Sequence, residues 1–225
     1  MKKYELSASL ICADLMNLEN EVKNINESKI EYIHFDVMDG HFVPRLGVFP
    51  EMLSGIRKLT KKPIDVHLMI SNPEEYIPIF SNAGADIIYV HVENNLHLHR
   101  TLKIIKENNV KAGVVLNIAT PLSSLDYILE EIEYIMLMAI NPGIVGHKII
   151  LKIYDKIRAV KEKIKGTNIK IMIDGGVNPE TAHLMIKSGA DILVGGTSSL
   201  FRPKEGTLIQ TTKKFREKID KNLDN

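Results

Sequence analysis

The apolar segment YIHFDV (32–37) carries His34 and Asp36 two residues apart. On an extended strand that spacing puts both side chains on one face. His67 stands at the end of a second such segment, PIDVHLM (63–69), and Asp174 ends a third, IKIMID (169–174). Two imidazoles and two carboxylates make an N₂O₂ donor set for a borderline divalent metal; zinc, manganese, cobalt and ferrous iron all accept it. Each residue alone has a plainer use. A buried histidine can bond a backbone carbonyl, and Asp174, followed by Gly175 and Gly176, can open a turn. An inward face bearing both His34 and Asp36 is costly, however, unless its polar groups are paired or bound to metal. The four are therefore read together as a metal site. Met38 continues the parity of His34 and Asp36, Met69 follows His67, and Met138 lies in YIMLMAI (134–140). Methionine fills irregular core gaps, and at a strand end it can also form a soft, dry lid over a planar intermediate.

Side chains so far apart in sequence need a scaffold that gathers them. Eight short apolar segments can be marked: 4–10, 32–37, 63–69, 86–92, 111–117, 134–140, 169–174 and 191–195. Between them lie charged, periodic stretches such as ENEVKNINES, PEMLSGIRKLT, LHRTLKIIKENN and YDKIRAVKEKIK, which fit helices with one buried face. The spacing, roughly 25 to 30 residues, is that of a strand and its crossover helix. Eight units in 225 residues predict an α/β fold, a single closed (β/α)₈ TIM barrel over residues 1–225. A doubly wound open sheet would normally hold fewer units. NAGADIIYV (82–90) and SGADILVG (188–195) echo one another half a barrel apart, and 207–225 reads as a closing helix. In such a barrel the ends of the strands carrying His34, Asp36, His67 and Asp174 share one rim.

Three loops near the later strand ends are rich in small residues: Asn141 to Gly146, Gly175 to Asn178, and Gly195 to Ser198. Glycine permits close backbone approach, and free N–H groups there can gather around an anion. Barrel phosphate sites often form from the loops after strands seven and eight, so these loops predict a phosphate held by backbone donors. Neither a P-loop nor a Rossmann fingerprint is present.

Composition narrows the partners. Lysine and arginine total 29 against 28 acidic residues, a net charge of +1, which is no footprint for nucleic acid. Cys12 is the single cysteine, so no intrachain disulfide or thiolate cluster can form. No run of about 18 apolar residues and no secretory-type leader is visible, and a soluble cytoplasmic protein without membrane contact is expected.

The ordered motifs HFDVMDGHFVP (34–44), DVHLMI (65–70), GVVLNIATP (113–121), INPG (140–143) and IDGGVN (173–178), with SASLICADL (7–15) and VGGTSSLF (194–201), resemble the ribulose-phosphate 3-epimerase family. The resemblance implies metal ligands at His34, Asp36, His67 and Asp174, with Asp36 and Asp174 as the two acid/base carboxylates. It implies a substrate-facing serine at Ser9, a methionine lid at Met38, Met69 and Met138, and substrate contacts at His67. Phosphate contacts would fall on Gly143, Ile144, Val145, Gly146, Gly175, Gly176, Gly196 and Thr197. One divalent metal per subunit is implied, zinc first, with iron, manganese or cobalt as alternatives, and so is a homo-oligomer acting on a small sugar phosphate. The chain departs from the commonest family pattern at Arg45, Phe49, Ile144, Val145, His147 and Thr197, and SLICADL and GTSSLF stand closer to the allulose-6-phosphate 3-epimerase branch.

The implied reaction interconverts D-ribulose 5-phosphate and D-xylulose 5-phosphate. A proton leaves C3, a metal-stabilised cis-enediolate forms, and a proton returns to the opposite face. Asp36 and Asp174 lie three strand steps apart the short way round an eight-strand ring, so each would serve one face. The alternative is the D-allulose 6-phosphate/D-fructose 6-phosphate pair; a remoter one is a non-catalytic barrel serving as an interaction module. A barrel decarboxylase or aldolase would need a lysine at the marked strand ends, and none is there.

Overall fold

A computed structural model describes residues 4–144 and 146–224. Its strands are β1 (Glu5–Ser9), β2 (Tyr32–Met38), β3 (Ile64–Met69), β4 (Ile87–His91), β5 (Lys111–Leu116), β6 (Tyr134–Met138), β7 (Lys170–Asp174) and β8 (Ile192–Gly195). Each pairs in parallel with the next, and β8 returns to β1, closing the barrel. The helices are α1 (Leu18–Glu27), α2 (Pro50–Leu59), α3 (Pro73–Ala83), α4 (Leu98–Glu107), α5 (Ile153–Lys163), α6 (Pro179–Ser188) and α7 (Leu208–Asp224). This is the (β/α)₈ architecture the spacing predicts. Gly84 and Gly189, the paired glycines of the echo, terminate α3 and α6 just before β4 and β8.

One unit departs from the strand-plus-helix pattern. Between β5 and β6 the described residues form two 3₁₀ turns, Leu122–Leu125 and Leu129–Glu131, in place of an α-helix. Pro121 enters the first turn in an extended conformation (φ −70°, ψ 148°), and Ser123, Ser124 and Asp126 are residues that favour turns over helix interiors. Leu125, Ile128 and Ile132 still cover the outer face of the sheet.

Alternation along each strand divides the apolar residues between two cores. Ile33, Phe35 and Val37 of β2, Val66 and Leu68 of β3, and Ile171 and Ile173 of β7 pack outward against the helices. Tyr32, Tyr89, Tyr134, Met136 and Met172 fill the barrel interior. At the amino ends of the strands Lys170 Nζ donates to Glu5 Oε2 at 2.6 Å, and the Tyr32 hydroxyl donates to the same oxygen at 3.3 Å. With its middle packed, the barrel opens a cavity at its carboxyl rim. The β2–β3 register sets His34 beside Asp65, Asp36 beside His67 and Met38 beside Met69. No helix among the described residues is long and apolar enough to cross a membrane.

Candidate active site

His34 and Asp36 project from β2, His67 from β3 and Asp174 from the last position of β7. One donor atom from each lies within 4.8 Å of the other three. His34 Nε2 is 3.1 Å from Asp36 Oδ1; His67 Nδ1 is 3.4 Å from the same oxygen and 3.8 Å from Asp174 Oδ2. Donors around a tetrahedral ion at its usual bond lengths of about 2.0–2.1 Å stand about 3.3 Å apart, so these separations fit a single small divalent cation. His67 supplies the clearest sign: its Nδ1 is buried, faces both carboxylates and makes no hydrogen bond of normal geometry. A buried nitrogen left without a hydrogen-bond partner is a costly feature unless it is a ligand atom.

The two carboxylates differ in environment. Burial alone would raise the Asp36 carboxyl, but His34 and His67 beside it hold it well below the usual carboxylate range. Ser9 Oγ also donates to Asp36 Oδ2 at 2.8 Å. For Asp174 burial outweighs the pull of His34 and, reinforced by the negative charges of Asp36 and Asp65, pushes its carboxyl up to about 7. Burial lowers the His67 imidazole to about 4, which keeps it neutral. For His34 burial acts in the same direction, but Asp36 and Asp65 on its two sides win and raise it well above its ordinary value. Paired titratable groups with opposed shifts mark a site able to accept and give protons in turn.

These residues open onto a cavity of about 180 Å³ at the carboxyl rim. Asp36 and Asp174 reach its wall; His34 and His67 lie behind it, fully buried. Ser9, Gly143, Ile144, Gly146, Gly175, Gly176, Gly196 and Thr197 line the cavity, and Val145 lies outside the described residues. Met38, Met69 and Met138 are buried and also face it. Glycine is required by geometry at two of these positions. Gly143 has φ +75° and a Cβ there would stand 2.5 Å from Val43 Cβ; Gly175 has φ +95° and its Cβ would collide with the Ile140 side chain. Both loops can thus pass close to their neighbours only as bare backbone.

Several features escape a strand-by-strand reading of the sequence. Asp65 is fully buried, hydrogen-bonded to His34 Nδ1, and accepts from Ser7 Oγ at 2.6 Å. His91 of β4 meets His67. A signal existed for both. Asp65 precedes His67 by two residues and His91 follows Tyr89 by two, so alternation alone puts them inside the barrel. Arg45 and His147 stand on the cavity wall, so backbone donors are joined there by basic side chains. Phe49 is 54% exposed at the start of α2 and does not line the cavity. Cys12 does line it; burial pushes its thiol up, which keeps it protonated at neutral pH rather than nucleophilic.

Residues 5–201 match the model of the "Ribulose-phosphate 3 epimerase family". The chain is 45% identical over 197 residues to ribulose-phosphate 3-epimerase of Bacillus subtilis, covering 86% of this chain and 91% of that one. It is 40% identical over 206 residues to the Escherichia coli K12 protein of the same name, covering 90% and 92%. Among solved structures, a ligand complex of KGPDC from Streptococcus mutans superposes with a TM-score of 0.77 at 14% identity, over 98% of this chain and 99% of that one. At that identity the likeness concerns the fold.

Proposed function

This chain belongs to the ribulose-phosphate 3-epimerase family, and from that premise we propose that it interconverts D-ribulose 5-phosphate and D-xylulose 5-phosphate by inversion at C3. The observation that carries the proposal is the pair Asp36 and Asp174. They reach one cavity from strands three steps apart, one kept ionised and the other raised toward neutrality. Asp36 takes the C3 proton from one face, and Asp174 gives its proton to C3 from the other; in the reverse direction the roles exchange. A divalent cation held by His34, Asp36, His67 and Asp174 supplies, when bound, Lewis-acid polarisation of the C2 carbonyl and stabilisation of the charge that develops beside it. Ser9 orients Asp36 through its 2.8 Å hydrogen bond and faces the substrate. Met38, Met69 and Met138 exclude water from the planar intermediate while offering no competing proton.

The loops at Gly143–Gly146, Gly175–Gly176 and Gly196–Thr197 bind the phosphate, with the Arg45 guanidinium adding charge and His147 a further polar group on the wall. His67 lies behind the cavity wall and would hold the cation rather than touch the substrate. Zinc is the favoured ion on the strength of two imidazole and two carboxylate donors at these separations; iron, manganese and cobalt are the alternatives, and elemental analysis of the purified protein distinguishes them. A homo-oligomer, a cytoplasmic location and a small-molecule partner in place of nucleic acid complete the proposal, the last supported by a net charge of +1.

D-allulose 6-phosphate is the one competing substrate, because Arg45 and His147, two of the departures from the commonest family pattern, stand on the cavity wall. The deciding experiment compares kcat/KM for both phosphates on one metal-loaded preparation, with deuterium incorporation at C3 followed in heavy water. A preference of tenfold or more for the pentulose, about 1.4 kcal/mol of discrimination, is expected. A tenfold preference for the hexulose overturns the substrate assignment, and the absence of C3 exchange with either overturns the reaction.

A further inference from the structure

A run of hydrogen bonds leads from His67 away from the cavity. His67 Nε2 lies 2.9 Å from His91 Nε2, with the two rings stacked at a centroid distance of 5.1 Å. His91 Nδ1 lies 3.0 Å from Glu93 Oε2. The other Glu93 oxygen accepts from the Asn117 N–H at 2.7 Å and from the Thr120 hydroxyl. His67 and His91 are both fully buried, so neither ring can exchange these partners for water.

Proton counting makes this chain directional. A neutral imidazole has one N–H and one lone pair, and an ionised carboxylate only accepts. Glu93 therefore requires the hydrogen of His91 on Nδ1, which leaves His91 Nε2 as an acceptor. The contact between the two Nε2 atoms then requires the hydrogen of His67 on Nε2. His67 Nδ1 is left with its lone pair, and this is the atom that faces Asp36 and Asp174. The opposite arrangement would set the lone pair of His91 Nδ1 against a carboxylate oxygen at 3.0 Å.

We propose that Glu93, acting through His91, is a positioning residue that locks His67 in its Nε2–H tautomer and so presents Nδ1 as a metal ligand. The proposal rests on the metal cluster described above. It also separates the two imidazole ligands by how they are held: His34 is bonded directly to Asp65, whereas His67 is bonded to a carboxylate through a second ring.

Proton–nitrogen correlation spectra of the imidazoles in metal-free protein test it. The unaltered chain is expected to carry hydrogen on Nε2 of His67 and on Nδ1 of His91; the reverse pattern overturns the proposal. Glu93→Gln keeps the shape but offers an amide that can donate to His91 Nδ1. It is expected to mix the tautomers of both rings and to weaken zinc or cobalt binding, measured by chelator competition, about 10–100-fold, with excess metal restoring turnover. An E93Q protein with the unaltered tautomers and metal affinity within threefold of the parent overturns it. Should E93Q fail to fold by circular dichroism, Thr120→Val, which removes one hydrogen bond from Glu93, gives a few-fold loss of metal affinity if the proposal holds and none if it does not. A parent protein that binds no divalent metal ends the metal assignment, while the tautomers of the metal-free rings still decide this one.

Discussion

The two halves of the cavity are made of different material. On one side Asp36 and Asp174, with His34 and His67 behind them, are side chains fixed on β2, β3 and β7 and held by further buried polar groups. On the other, the loops after β6, β7 and β8 offer mostly backbone, and at Gly143 and Gly175 the neighbours leave no room for a Cβ. The first half depends on chemical identity, so a change that keeps its shape spares the fold but removes the chemistry. The second depends on shape, and identity matters only through the atoms glycine lacks. A barrel suits this division, because strands hold side chains in register while loops carry exposed N–H groups.

Substitutions that keep the shape of the first half should break the contrast most sharply. Asp36→Asn and Asp174→Asn are each expected to lower kcat by at least about 10²–10⁴-fold while the melting temperature stays near that of the parent. Turnover and C3 deuterium exchange measured together check this, and activity within tenfold of the parent would remove that carboxylate from proton transfer. The second half predicts the opposite signature. Gly143→Ala forces a side chain onto φ +75° and into Val43. Strain of about 1–3 kcal/mol should appear in denaturant unfolding, and KM should rise by about tenfold with a smaller change in kcat. A lowered kcat at unchanged KM would mean that this loop does not hold the phosphate. The smallest effect is expected at Arg45→Asn, where KM should rise a few-fold at unchanged kcat, more for one of the two phosphates than for the other. Kinetics unchanged from the parent with both substrates would show a guanidinium that takes no part in binding.

Much of this site is legible from alternation alone. His34, Asp36 and Met38 share a face because strand side chains repeat every two residues, and the same rule carries Met69 with His67. Asp65 and His91 obey that rule too, but a polar residue in the middle of an apolar segment does not announce its partner. Asp65 matters because β2 and β3 pair so that it lies beside His34, and His91 because its ring reaches His67 from two residues beyond Tyr89, the register partner of His67 on β4. The 3₁₀ link between β5 and β6 shows a different limit. Its apolar residues meet the demand for a covered sheet, so hydrophobic spacing cannot distinguish two short turns from a helix, and only the local chemistry of Pro121, Ser123 and Ser124 tips the balance.

By itself the sequence determined the repeating strand unit, the inward parity of its polar residues and the glycine positions where backbone must stand bare, since each is a property of a few neighbouring residues. Tertiary structure alone decided that Asp174 meets His34, Asp36 and His67, that Arg45 and His147 line the same cavity, and that His91 and Glu93 stand behind His67. Those meetings depend on ring closure and on the stagger between strands, which sum over the whole barrel and are written in no single segment.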